Sequence, residues 1–190
     1  MPRSIGLFGG SFNPAHGGHL HVARAGLRQL ALDEIWWLVS PQNPLKPEQP
    51  SWESRAKTVR ALPLPPNMRI SDIELQYQTQ YTIDLLTTLR TRQSELNFVF
   101  MMGADNLLQL PKWRRWQNIL ETLPIAIIAR PGSPIKARLG QAAQQYRHAR
   151  IPEDQAHTLK YHKAPAWTYL TLPLDNRSSS AIRASSKLTS

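Results

Sequence analysis

Ile5-Gly6-Leu7-Phe8-Gly9-Gly10-Ser11-Phe12-Asn13-Pro14-Ala15-His16-Gly17-Gly18-His19-Leu20 opens on a short apolar run, passes through a glycine-bearing loop and enters a helical pattern. Leu20, Ala23, Leu27 and Leu30 then recur at helical spacing, a stripe that packs on a sheet. Small residues let the backbone pass close to a bulky anion, and the N–H groups of a first helical turn attract phosphate. If that turn begins near Gly17, His16 and His19 share one face and both rings can address one ligand. The segment is therefore a candidate nucleotide site. Taken alone, it is also compatible with a glycine-rich turn bearing two surface histidines. Neither the dinucleotide fingerprint nor the Walker lysine motif is present.

The chain around this segment has 190 residues, a length that suits one domain with a substantial core, and one domain over 1–190 is expected. Its apolar share of 41% is that of a globular protein, and no apolar run approaches the ~20 residues of a membrane helix. Met1-Pro2-Arg3-Ser4 leads straight into the first strand and leaves no room for an export signal, so a cytoplasmic protein with no membrane partner is expected. With 0 Cys, disulfides, thiolate metal sites and a cysteine nucleophile are excluded. The net charge of +10 favours acidic ligands, nucleotides and nucleic acids alike, although a basic solvated surface also accounts for it.

Further β-rich runs fall at Glu34 to Ser40, Met68 to Ile73, Asn97 to Met102, Ile125 to Ala129 and Trp167 to Leu172. Helical patterns at Trp52 to Arg60, Thr82 to Leu89, Trp113 to Leu120 and Pro134 to Tyr146 lie between them. Strand–helix alternation predicts a Rossmann-like, doubly wound parallel α/β sheet. Arg147 to Pro165 shows no period and reads as irregular, and its three histidines match no metal-ligand spacing.

Ligands of such sheets bind beyond the carboxyl ends of the strands, so the loops after strands carry the chemistry. The second loop, Pro41-Gln42-Asn43-Pro44-Leu45-Lys46-Pro47, is stiffened by prolines and offers Lys46 to a phosphate. Near the C-terminus, Ser178-Ser179-Ser180-Ala181-Ile182-Arg183 reads as a helix start with hydroxyls, free N–H groups and an arginine fork one turn later. Each of these segments alone is equally explained as a surface lysine or a serine-capped helix.

Together the pieces resemble the nucleotidyltransferase superfamily marked by a His-or-Thr-x-Gly-His motif and a late Ser-Ser-x-x-x-Arg motif, and within it the bacterial nicotinate-nucleotide adenylyltransferase family. The resemblance runs nearly the full chain. It takes in Gly9 to Leu20, Asn43-Pro44-Leu45-Lys46-Pro47, Asp72-Ile73-Glu74, Tyr81-Thr82-Ile83-Asp84, Gly103-Ala104-Asp105-Asn106-Leu107, Trp113-Arg114-Arg115-Trp116, Arg130-Pro131-Gly132 and the serine cluster. Departures are Asn13 where many relatives carry Asp, Leu85 and Ser180 in place of threonines, and Arg177 in place of an apolar residue. Leu85 is expected to face the core.

The resemblance implies transfer of AMP from ATP to nicotinate mononucleotide, giving nicotinate adenine dinucleotide and pyrophosphate in NAD biosynthesis, with Mg²⁺ accompanying ATP and no protein-held metal. It implies His16, His19, Lys46 and Arg183 as catalytic residues. ATP would lie against Gly9, Gly10, Ser11, Phe12, His16, Gly18, His19, Gly103, Asp105, Ser179, Ser180 and Arg183. Nicotinate mononucleotide would lie against Asn43, Lys46, Tyr81, Thr82, Trp113, Arg114 and Arg130, with the Trp113 ring stacked on the pyridine, while Trp36, Trp37 and Trp116 pack. Two alternatives stand beside it. A pantetheine-phosphate adenylyltransferase would share the histidine motif but leaves Tyr81-Thr82 and Trp113 to Trp116 unexplained. A nucleic-acid-binding protein would account for the charge and leaves the phosphate loop unexplained, so no nucleic acid partner is expected. The residues leave monomer and homo-oligomer both open.

Overall fold

The structure, a computed structural model, describes residues 2–40, 49–129 and 135–172. Asn43, Lys46, Arg130, Arg177, Ser179, Ser180 and Arg183 lie outside the described residues.

Among the described residues seven strands form one sheet, in chain order β1 (Ser4–Gly10), β2 (Glu34–Val39), β3 (Met68–Ser71), β4 (Asn97–Gly103), β5 (Ile125–Ala129), β6 (Arg150–Ile151) and β7 (Trp167–Thr171). Their spatial order is β3-β2-β1-β4-β5-β7-β6 and every pairing is parallel. Helices α1 (Gly17–Gln29), α2 (Trp52–Arg60), α3 (Ile73–Gln76), α4 (Thr82–Arg92), α5 (Ala104–Gln109), α6 (Trp116–Thr122) and α7 (Gln141–Gln145) connect the strands. The expected doubly wound Rossmann-like sheet is what forms. Ile5, Leu7, Trp36, Leu38, Phe100 and Ile127 belong to the core on one side of the sheet, and Phe8, Ile35, Trp37, Met101 and Ile128 to the core on the other. Strands covered on both faces read as near-continuous apolar runs for this reason.

β1 is central. The chain first builds β2 and β3 on one side of it, then returns to place β4 and β5 on the other, so the strand order reverses between β1 and β4. The crevice of a doubly wound sheet opens there, above the carboxyl ends of these two strands. At the opposite end of β1, Asp33 accepts the Ser4 N–H and hydroxyl, both at 2.7 Å, and these hydrogen bonds hold its carboxyl below the usual carboxylate range.

Several elements differ from the sequence expectation, among them α5, since Ala104–Gln109 is helical directly after β4 where no helix was expected. The third run ends at Ser71, because Ile73 opens α3 and buries its side chain from a helix instead of a strand. The helix expected from Trp113 starts only at Trp116, since Arg115 takes a left-handed conformation with φ 50° and ψ 44°. The helix expected over 134–146 is broken. A 3₁₀ turn at Ile135–Ala137 is followed by extended backbone at Gly140 before α7 begins. The stretch read as irregular holds β6 and a 3₁₀ helix at Glu153–Tyr161, which is anchored by buried Ala156 and Leu159. A 3.0-residue turn lies outside the periods of 2.0 and 3.6 by which strand and helix are recognised.

Candidate active site

The carboxyl end of β1 delivers the glycine-bearing loop directly into α1, which begins at Gly17 as expected, with His16 as its N-cap. The two histidines close the first turn reciprocally. His16 Nδ1 accepts the Gly18 N–H at 3.1 Å, and His19 Nδ1 accepts the His16 N–H at 3.3 Å. These bonds satisfy donors that a helix start otherwise leaves unmet. An Nδ1 that accepts carries no proton, so in each neutral ring the proton sits on Nε2. The rings lie side by side, centroids 4.0 Å apart, and both residues are buried. The expected sharing of one face is met.

Phe12 supports this pair from below. Its ring meets the His19 ring edge-on at 5.1 Å and rests on Trp37, also at 5.1 Å, and on Phe8 at 5.4 Å. Phe12 reaches that place through a left-handed backbone, φ 46°. Gly10 makes room for it, because a Cβ there would stand 2.9 Å from the Phe12 ring. Trp36, Trp37 and Trp116 pack as expected, all three buried.

A cavity of about 360 Å³ opens beside the loop at the crevice between β1 and β4. Gly9, Gly10 and Ser11, expected to serve ATP, line it together with Tyr81, Thr82, Trp113 and Arg114, expected to serve the acceptor. Phe12, His16, Gly18, His19, Gly103 and Asp105 are not among its lining residues. Leu38, Leu85, Phe100, Met102 and Ile119 line its apolar part, and Leu85 is buried as expected. The left-handed turn at Arg115 leaves Trp113 extended ahead of α6 and half-buried, which gives its ring to the cavity. Arg114 lies over the Tyr81 ring, 4.6 Å from its centroid. Thr82 is the first residue of α4. Gly103 and Asp105 stand at the end of β4, where the Asp105 carboxylate occupies the space a side chain at 103 would fill.

Five further residues belong to this region and carry no role in the expectation from sequence. Asn106 and Lys112 line the cavity. Glu74, from α3, is the one acidic lining residue among the described residues, and burial pushes its carboxyl up to about 7 against the pull of the Arg55 guanidinium. Arg55 and Thr58 of α2 bond to the loop backbone from outside. A signal for Arg55 existed: it falls within the stripe Trp52, Ala56, Val59, where an apolar residue is the ordinary occupant. Among the described residues no three His, Asp or Glu side chains converge as a metal cage, and no helix is long and apolar enough to cross a membrane.

Comparison with known proteins follows this geometry. Residues 7–185 match the family model described as cytidylyltransferase-like. A "probable nicotinate-nucleotide adenylyltransferase" of Caulobacter sp. (strain K31) is 48% identical over 181 residues, 94% of this chain and 96% of the relative. One of the same name from Ruegeria sp. (strain TM1040) is 45% identical over 181 residues, 95% and 96% of the two chains. Among solved structures, Plasmodium falciparum nicotinic acid mononucleotide adenylyltransferase complexed with NaAD shares the fold with a TM-score of 0.69. That likeness covers 96% of this chain and 83% of the other at 19% identity.

Proposed function

The chain belongs to the cytidylyltransferase-like family, and from that membership we propose the following reading. It is a nicotinate-nucleotide adenylyltransferase, which transfers AMP from ATP to the phosphate of nicotinate mononucleotide and releases pyrophosphate. The relatives at 42–48% identity carry this name over nearly their full length. The observation that carries the reading is a cavity lined both by Gly9, Gly10 and Ser11 of the loop and by Tyr81, Thr82 and Trp113. A transfer between two nucleotides needs just such an adjacency.

Within that reading, one domain over residues 1–190 binds both substrates. The first turn of α1 and the Nε2 positions of His16 and His19 receive the ATP phosphates, joined by Lys46, Ser179, Ser180 and Arg183. Gly103 and Asp105 lie toward the adenosine. The Trp113 ring stacks on the pyridine, the start of α4 at Thr82 receives its carboxylate, and Asn43, Arg114 and Arg130 contribute on the acceptor side. The acceptor phosphate is already ionised near neutral pH and attacks the α-phosphorus as pyrophosphate leaves, so no general base and no covalent intermediate are required. His19 Nε2–H donates to the oxygens on which charge develops. Mg²⁺ would accompany ATP as part of the substrate and would supply charge neutralisation at its phosphates. The reaction runs in the cytoplasm.

The test is pyrophosphate release from Mg-ATP with nicotinate mononucleotide, nicotinamide mononucleotide and phosphopantetheine offered in parallel. Release with the first far above the others is expected. Release with nicotinamide mononucleotide instead would overturn the carboxylate site, and release with phosphopantetheine would overturn the acceptor class.

A further inference from the structure

Two side chains one turn apart on α2 hold the two ends of the phosphate loop. Arg55 donates from Nη1 to the Ser11 carbonyl at 2.8 Å and from Nε to the Pro50 carbonyl at 2.9 Å. Thr58 Oγ1 accepts the Ala15 N–H at 2.9 Å. Its own hydroxyl proton goes to the Arg55 carbonyl at 2.6 Å, with the Phe12 carbonyl at 3.4 Å. Ser11 stands directly before the left-handed Phe12, and Ala15 directly before the cap residue His16.

A loop between strand and helix has no ladder for its backbone groups, so side chains from elsewhere must satisfy them. Arg55 is 1% exposed, and a charged group held at that depth costs stability unless its donors are used. Here one is used on the loop, at the Ser11 carbonyl, and another on the Pro50 carbonyl just ahead of α2. Glu74, lining the cavity, supplies the opposite charge that favours the Arg55 cation.

We propose that Arg55 and Thr58 are positioning residues for adenylyl transfer, fixing the path of Ser11 to Ala15 and through it the placement of the His16 and His19 rings. This rests on the reading that the loop receives the ATP phosphates. Neither side chain needs to touch a substrate, since both act through the loop backbone. A loop released at Ala15 still binds ATP but aims its donors wrongly, so the loss falls on kcat and not on KM.

The experiment compares wild type, Thr58→Val and Thr58→Ser. The readouts are kcat, both KM values, melting temperature, and the ring ¹⁵N signals of His16 and His19 in the substrate-free protein. Thr58→Val is expected to lower kcat by about 10- to 100-fold, the cost of a small misplacement. Its KM values and melting temperature should stay near wild type while the histidine ring signals move. Thr58→Ser, which keeps the hydroxyl, should restore all of them. Wild-type kcat with unmoved ring signals in Thr58→Val would overturn the inference, as would equal losses in both variants. Should Thr58→Val fail to fold, Arg55→Lys keeps the charge but loses the two-donor fork and must show the same split, and a wild-type kcat there overturns the inference. If the wild type itself releases no pyrophosphate, the functional reading fails, while the ring signals still decide whether Thr58 sets the histidine pair.

Discussion

His16 and His19 cap the same helical turn with their Nδ1 atoms, one accepting the Gly18 N–H at 3.1 Å and the other the His16 N–H at 3.3 Å. The same bonds that begin α1 therefore set both ring orientations and leave Nε2 as the proton-bearing position of each neutral ring. Helix initiation thus uses the Nδ1 edge of each imidazole.

His19→Ala should lower kcat by ~10²–10³, the scale of one lost donor to developing charge. His19→Asn retains an acceptor near the Nδ1 position and lacks Nε2–H. It should lose rate equally while keeping more of the helix start, measured by steady-state kinetics and amide exchange at His16, whose N–H the His19 side chain accepts. A near-normal rate in either variant contradicts the donor role.

Phe12 separates packing from placement in another way. Phe12→Leu conserves most of the buried volume and should cost under about 1.5 kcal/mol of stability. It nonetheless removes the edge-on ring contact under His19. The expected outcome is a modest fall in melting temperature with a larger fall in kcat, and a variant with full activity would sink the idea that this ring steadies His19.

Trp113 lines the cavity. Trp113→Ala should raise KM for nicotinate mononucleotide by about tenfold or more, since a ring stack contributes ~1–3 kcal/mol. The KM for ATP should change little. A selective loss of ATP affinity would assign the ring to the other substrate.

Glu74 carries a pH signature. Its carboxyl is pushed up to about 7 in the folded protein by burial, against about 4.3 for an unfolded glutamate. Between these values the folded state binds more protons than the unfolded, so this group's contribution to stability falls as pH rises through the window and is flat on either side. Glu74→Gln removes the titration. Chemical denaturation of both proteins from pH 4 to 8 should show wild type losing stability relative to the variant across that window. A difference independent of pH would place the Glu74 carboxyl at its ordinary value.

Fold class and the phosphate loop were legible in the residues because both are local. Apolar runs such as Ile125 to Ala129 mark doubly covered strands, the stripe Leu20, Ala23, Leu27, Leu30 marks α1, and the spacing of His16 and His19 marks their common face. The family resemblance carried by the ordered motifs implied a common site for Gly9 to Ser11 and for Tyr81, Thr82, Trp113 and Arg114, and these residues line one cavity. What the tertiary structure alone decided is how remote segments meet. The left-handed Arg115 that turns Trp113 into the cavity, the Glu74 carboxyl at its wall, and the hold of Arg55 and Thr58 on a loop more than 40 residues earlier have no local period. Such contacts arise only when the sheet brings the ends of β1, β2 and β4 together, and a hydrogen bond across that crevice depends on packing geometry, which residue identities do not encode one at a time.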